Sequence, residues 1–136
     1  MENIKKRLSA FRRARRLYEQ AKEESEQIAT MLTSAAIDYS KVRVQSSPKD
    51  FTDTMARLVD LHKECVERME ECVRAMEDAK KLIDKVKDPQ KRDILSRRYL
   101  RCQNWEDIAE DIGKDYRWVF RLHDKALEEI KEKEND

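Results

Sequence analysis

The chain has 136 residues, 43% of them charged, with one glycine, two prolines and 7% aromatics. So few turn-forming residues favour long helices, and so few aromatics argue against a wide sheet core. With no signal peptide and no apolar run long enough to span a bilayer, a soluble intracellular protein is expected, cytoplasmic in a bacterial host cell and without a membrane partner.

The net charge is only +1, but the charges are segregated. Residues 1–49 sum to +5, residues 50–88 to −3 and residues 89–136 to −1. Bulk charge therefore gives no attraction to nucleic acid, and any such contact needs a local basic face. Cys65, Cys72 and Cys102 do not form a secreted disulfide framework and fit the reduced thiols of a cytoplasm.

Residues 3–39 are predicted as one helix. Phe11, Ala14, Tyr18, Ala21, Ser25, Ile28, Leu32 and Ala35 recur at steps of three and four, and the small residues on this seam allow close helix approach. Residues 40–50 (SKVRVQSSPKD) break the pattern. Ser47 can cap a new helix, Pro48 suits its first position, and Asp50 can return the capping bond.

A second long helix is predicted over 48–87, spanning about 60 Å. Its expected seam is the heptad row Met55, Leu58, His62, Cys65, Met69, Cys72, Met76, Ala79, Ile83 and Val86, which Val59, Val66 and Val73 widen to one side. The two long helices are expected to form an antiparallel coiled-coil-like hairpin over residues 1–88. The apolar surface left over would bring in a second copy, giving a homodimer. His62, Cys65 and Cys72 share the seam, but a metal needs three or four convergent ligands, and Met69 intervenes with no second histidine nearby. A packed seam with a register-setting histidine is the expectation, with no metal and no cofactor.

Asp88-Pro89 ends or bends the second helix. Residues 89–136 are predicted as a three-helix helix-turn-helix unit. Its first helix covers about 89–101, Asn104 caps the second, Gly113 closes that helix in a left-handed turn, and Asp115 caps a third running to about Lys131. On a helical wheel Val119, Leu122, Ala126 and Ile130 share one arc, with His123 beside it. They would meet Ile94, Leu95, Tyr99, Leu100, Trp105, Ile108 and Ile112 in the core.

The opposite arc carries Arg117, Arg121, Asp124 and Glu128, with Lys125 close by. Arg117 and Arg121 lie one turn apart near the helix start, where a major-groove helix places its base-reading residues, and each guanidinium can hold guanine O6 and N7 together. Tyr116 and Trp118 can touch a thymine methyl or a phosphate. Lys114, Lys125, Arg97, Arg98 and Arg101 are candidates for phosphate contacts, which set register but not sequence. Trp105 is expected in the core. Trp118 is open between DNA contact and packing on the long helices. The basic block Lys5, Lys6, Arg7, Arg12, Arg13, Arg15 and Arg16 has two open readings: a phosphate grip beside the DNA-reading helix, or a solvated face pairing with the acidic second helix. No nucleophile with a base, phosphate loop or apolar carboxylate pair is present, so an enzyme is not expected.

The pattern WEDIA…IG…V..RLH.KAL, preceded by RRYL, resembles region four of bacterial sigma factors, which reads the −35 promoter element. RLHDKAL, YLRCQNWEDIA and VQSSP before a long helix together resemble the ArpU family of phage and prophage transcriptional regulators, relatives of the RinA-type late-gene activators. The resemblance covers about residues 35–130. It carries over the segment Asp115–Arg121 as the DNA-reading part, with Asp115 where serine is common and Trp118 where a small or polar residue is common. It implies activation of phage late genes. The expected function is a sequence-specific, double-stranded DNA-binding transcriptional regulator. The alternatives are a DNA-packaging component like a terminase small subunit and a factor that binds RNA polymerase.

Overall fold

The computed structural model describes residues 2–41 and 48–135. Among them there is no strand, and five helices form an all-α fold. The expected Ser47–Asp50 capping box falls outside the described residues, as do the side chains of Leu32 and Ala35. Helix α1 spans Glu2–Lys41 and α2 spans Pro48–Ile83. They are long and pack against each other. No described helix is long and apolar enough to cross a membrane.

The seam of α1 follows the three-four spacing. Ala21 is buried, and Phe11, Ala14, Tyr18, Ser25 and Ile28 are half-buried. Two residues the spacing argument left out, Ile4 and Leu8, extend this seam and are buried more deeply still.

The seam of α2 differs from expectation by one residue in every second position. Leu58, Cys65, Cys72 and Ala79 turn inward as expected. The alternate row is Leu61, Arg68, Ala75 and Leu82, not His62, Met69 and Met76. Ile83 is also buried, but His62, Met69 and Met76 are exposed. From Leu58 the next inward residue can come three or four positions later, and both choices keep a seven-residue repeat. The helix takes the step of three, which turns Ala75 inward and the methionines outward. Met55, Val59, His62, Val66, Met69, Val73 and Met76 then form a second, exposed row that also alternates by four and three.

Helix α2 stops at Ile83 rather than near residue 87. Backbone bonds Lys85 N–H to Leu82 O (3.2 Å) and Val86 N–H to Ile83 O (3.0 Å) tighten the end into a turn. Asp88 then caps α3, Pro89–Leu95, accepting from the Gln90 N–H at 3.3 Å. A π-helical turn, Ser96–Leu100, continues α3 and closes with the Arg101 N–H on Ser96 O. Helices α4, Trp105–Ile112, and α5, Tyr116–Glu134, follow.

The contacts divide the chain into two compact units: residues 1–14 with 71–136, and residues 15–70. The core of the first unit explains its composition. Ile4 and Leu8 of α1 meet Ala79, Leu82 and Ile83 of α2, Val86 of the turn, Leu95 and Tyr99 of the first C-terminal helix, and Ala126, Leu127 and Ile130 of α5. A division at residue 88 would cut this core in half. Leu127, outside the narrow apolar arc read from the wheel, is only 1% exposed because the start of α1 and the end of α2 cover a second flank of α5. Polar links close the same region. Arg7 donates from Nη2 and Nε to both Asp78 oxygens, at 2.7 and 3.2 Å, and from Nη1 to Glu134 at 3.1 Å. Lys85 also pairs with Glu134, and Lys133 donates to the Lys85 carbonyl. The hydrogen bond from Arg7 holds the Asp78 carboxyl below the usual carboxylate range.

Candidate nucleic-acid interface

The turn between α4 and α5 is built by local chemistry. Asn104 Oδ1 accepts from the Asp107 N–H at 2.8 Å, and Glu106 and Asp107 place negative charge at the positive end of α4. Gly113, at φ 72°, ψ 33°, ends α4 in the left-handed region, its N–H shared between the Ala109 and Glu110 carbonyls. A side chain added there would meet nothing within 4 Å, so the demand for glycine is one of backbone angle alone. Asp115 occupies the capping position of α5 with an extended backbone, but its side chain makes no capping bond. Its carbonyl receives Trp118 N–H and Val119 N–H instead, at 3.0 and 3.2 Å.

Beneath the turn, Ile94, Ile108 and Val119 are fully buried, and Trp105, Ala109, Ile112, Trp118 and Leu122 pack around them. Trp118 therefore belongs to the unit's own small core, with Lys114 Nζ 5.5 Å from its ring centre. Trp105 is half-buried rather than central. Phe120 lies against it at 4.5 Å, the edge of His123 at 4.8 Å, and the Arg98 guanidinium over it at 4.6 Å. Tyr116 continues the row at 4.9 Å from Phe120.

This packing sets α5 so that Arg117, Arg121 and Lys125 are exposed along its outer side. Neither Arg117 nor Arg121 forms an ion pair among the described residues. Asp124 and Glu128 share that side one to two turns further on. The face is thus cationic at the amino-terminal end of α5 and mixed beyond it. Lys114, Asp115 and Tyr116 are exposed at the turn, and Arg101 is exposed at the end of the first C-terminal helix.

Of the candidate phosphate ligands, Arg97 is neutralised internally, whereas Arg98 has no carboxylate partner among the described residues. Arg97 donates from Nε to Asp93 at 3.0 Å and from Nη1 to Asp111 at 3.1 Å, tying the first C-terminal helix to α4. Asp111 also accepts from Gln103 Nε2 at 3.2 Å. Arg98 is half-buried and donates from Nη1 to the Gln103 carbonyl at 3.1 Å. Burial, and then the neighbouring charge of Arg12, lower its pKa from the ordinary value.

The amino-terminal block splits between its two open readings. Arg7 pairs with acidic residues of α2 and α5, and Arg15 with Glu19 of its own helix. Arg13 donates to the Lys6 carbonyl. Lys5 and Lys6 are exposed and line an open groove with Arg98, Tyr99, Trp105 and Phe120. The sequence offered Lys5 and Lys6 only as part of a basic block able to grip phosphates beside α5, not as neighbours of Arg98 and the aromatic row. The Ile4–Leu8 spacing, one helical turn of apolar residues beside the lysines, was the available signal.

Comparison of the chain with known protein families, with curated proteins and with solved structures returns no match.

Proposed function

We propose that this protein is a sequence-specific, double-stranded DNA-binding regulator of transcription, of the ArpU and RinA type that switches on late genes of a phage or prophage in the bacterial cytoplasm. One observation carries the reading. Arg117 and Arg121 stand one turn apart, exposed, at the amino-terminal end of a helix that follows a glycine turn. Inserted end-on into a major groove, that end meets base edges first, and each guanidinium matches the two acceptors of guanine. The acidic residues of the same side come later and would sit farther from the phosphates. Lys114, Lys125 and Arg101 are exposed and would contact the backbone and set register.

The exposed heptad row of α2 supports a homodimer. A seam of Met and Val repeating every seven residues matches a second helix of the same repeat, and two copies would present two reading helices to two half-sites.

Selection of bound duplexes from a randomised pool tests the reading. The full chain is expected to enrich one motif with two half-sites, and Arg117→Ala with Arg121→Ala to lose that enrichment while keeping the helical circular dichroism of the parent. A pool that stays random with the parent protein overturns the proposal.

A further inference from the structure

The groove beside α5 is cationic on every charged position of its lining. Lys5 and Lys6 come from the first turns of α1, and Arg98 from the first C-terminal helix, with Ser9, Tyr99, Trp105 and Phe120 completing the walls and no carboxylate among them. Two other arginines of this unit are neutralised, Arg7 by Asp78 and Glu134, and Arg97 by Asp93 and Asp111. Arg98 instead has a backbone carbonyl and an aromatic face for partners, and Arg12 acts on it as a like charge. Gathering cations around a half-buried guanidinium without a counter-charge is unfavourable in the free protein, and an anion entering the groove relieves it.

We propose that the start of α1 supplies a second part of the DNA-binding surface, in which Lys5, Lys6 and Arg98 hold the phosphodiester backbone flanking the major groove entered by α5. The inference rests on the duplex-DNA reading above and extends it to residues far away in the sequence. The groove opens on the Phe120 flank of α5, next to its amino-terminal end, where a backbone strand bordering the groove would pass. The aromatic walls do not make it a base-stacking platform. Trp105 is already covered by Phe120, Arg98 and the edge of His123. Bound bases would need a bare ring face, whereas a phosphate needs only the cations.

The test uses the full chain, the variant Lys5→Gln/Lys6→Gln, and the duplex enriched in the selection above. Both lysines are exposed, so the variant keeps the fold, which circular dichroism checks. The slope of log affinity against log salt is expected to fall by roughly two, since each lost phosphate contact removes about 0.9. Affinity should drop equally for the selected and a random duplex, and hydroxyl-radical protection of the flanking backbone should disappear. An unchanged slope and footprint in a variant whose parent binds the duplex overturns this inference and leaves the DNA reading standing. A parent that binds no duplex overturns both. A single-stranded oligonucleotide of equal length is the second arm: if the variant loses affinity for it but not for the duplex, the groove takes a single strand and the inference fails.

Discussion

The phenolic oxygen of Tyr99 lies 2.6 Å from Nε2 of His123, joining the first C-terminal helix to α5 inside the core. His123 is fully buried, and its Nδ1 lies 3.3 Å from Asp124 Oδ1. The carboxylate only accepts, so Nδ1 carries the proton and Nε2 accepts the Tyr99 O–H. Burial pushes the Tyr99 phenol up to about 12, so it keeps its proton, and burial holds His123 below the ordinary histidine range against the pull of Asp124.

A pH dependence of stability follows. Unfolded histidine takes up a proton near pH ~6.5, whereas His123 in the folded chain resists it. Below that pH the unfolded state binds more protons, so this group's contribution to stability falls with pH; above it, the contribution is constant. Urea unfolding between pH 7.5 and 5.5 should show that fall, and His123→Leu should flatten it. Tyr99→Phe should destabilise at neutral pH by about 1–3 kcal/mol, because Nε2 is left buried without a donor. A parent equally stable at both pH values would mean that His123 titrates as it does in water.

Arg117→Ala and Arg121→Ala should each weaken binding to the selected duplex by about 1–3 kcal/mol and relax specificity at one base pair. Because both side chains are exposed, the melting temperature should stay within a degree or two of the parent. Affinity measured on selected and random duplexes at one salt concentration separates the two effects. Equal loss on both would make these arginines phosphate ligands instead.

Leu8→Ala should loosen the C-terminal helices although it lies in the first turns of α1. Leu8 is 0% exposed and shares its core with Leu95, Tyr99 and Leu127. Truncating a buried leucine costs about 2–5 kcal/mol. Amide exchange should accelerate in α5 as well as at the start of α1. Faster exchange confined to α1 would show that the C-terminal helices stand alone.

Two left-handed backbone positions should respond in opposite directions. Gly113→Ala forces a side chain into φ 72° without any clash and should cost about 1–2 kcal/mol. Cys102 already sits at φ 59°, and Cys102→Gly should stabilise by up to about 1 kcal/mol. Chemical denaturation of both variants gives the signs directly.

The exposed row of α2 predicts that Val66→Glu abolishes self-association. Val59, Val66 and Val73 are 40–48% exposed, with Met69 and Met76 beside them. A charge in the middle of a paired apolar seam would be buried without a partner. Light scattering after gel filtration should give a dimer mass for the parent and a monomer mass for the variant. Half-sites recovered in selection should lie about 10–10.5 bp apart or a multiple of it. A monomeric parent at micromolar concentration sinks this prediction.

The local features of this chain were legible from the sequence because they depend on neighbours a few residues away. The two long helices came from repeats at steps of three and four, the start of α4 from Asn104, its end from the glycine at 113, and the exposure of Arg117 and Arg121 from their place opposite Val119 and Ala126. The tertiary structure decided what depends on distant partners. Two equally regular rows run along α2, and the packing of the two long helices turns only one of them inward. The depth of Leu127 and the approach of Lys5 and Lys6 to Arg98 arise because the first turns of α1 return to the C-terminal helices, and Arg97 turns inward because α4 brings Asp111 to it. A helical wheel defines a direction for each side chain but not what waits there, since burial is a property of two surfaces meeting.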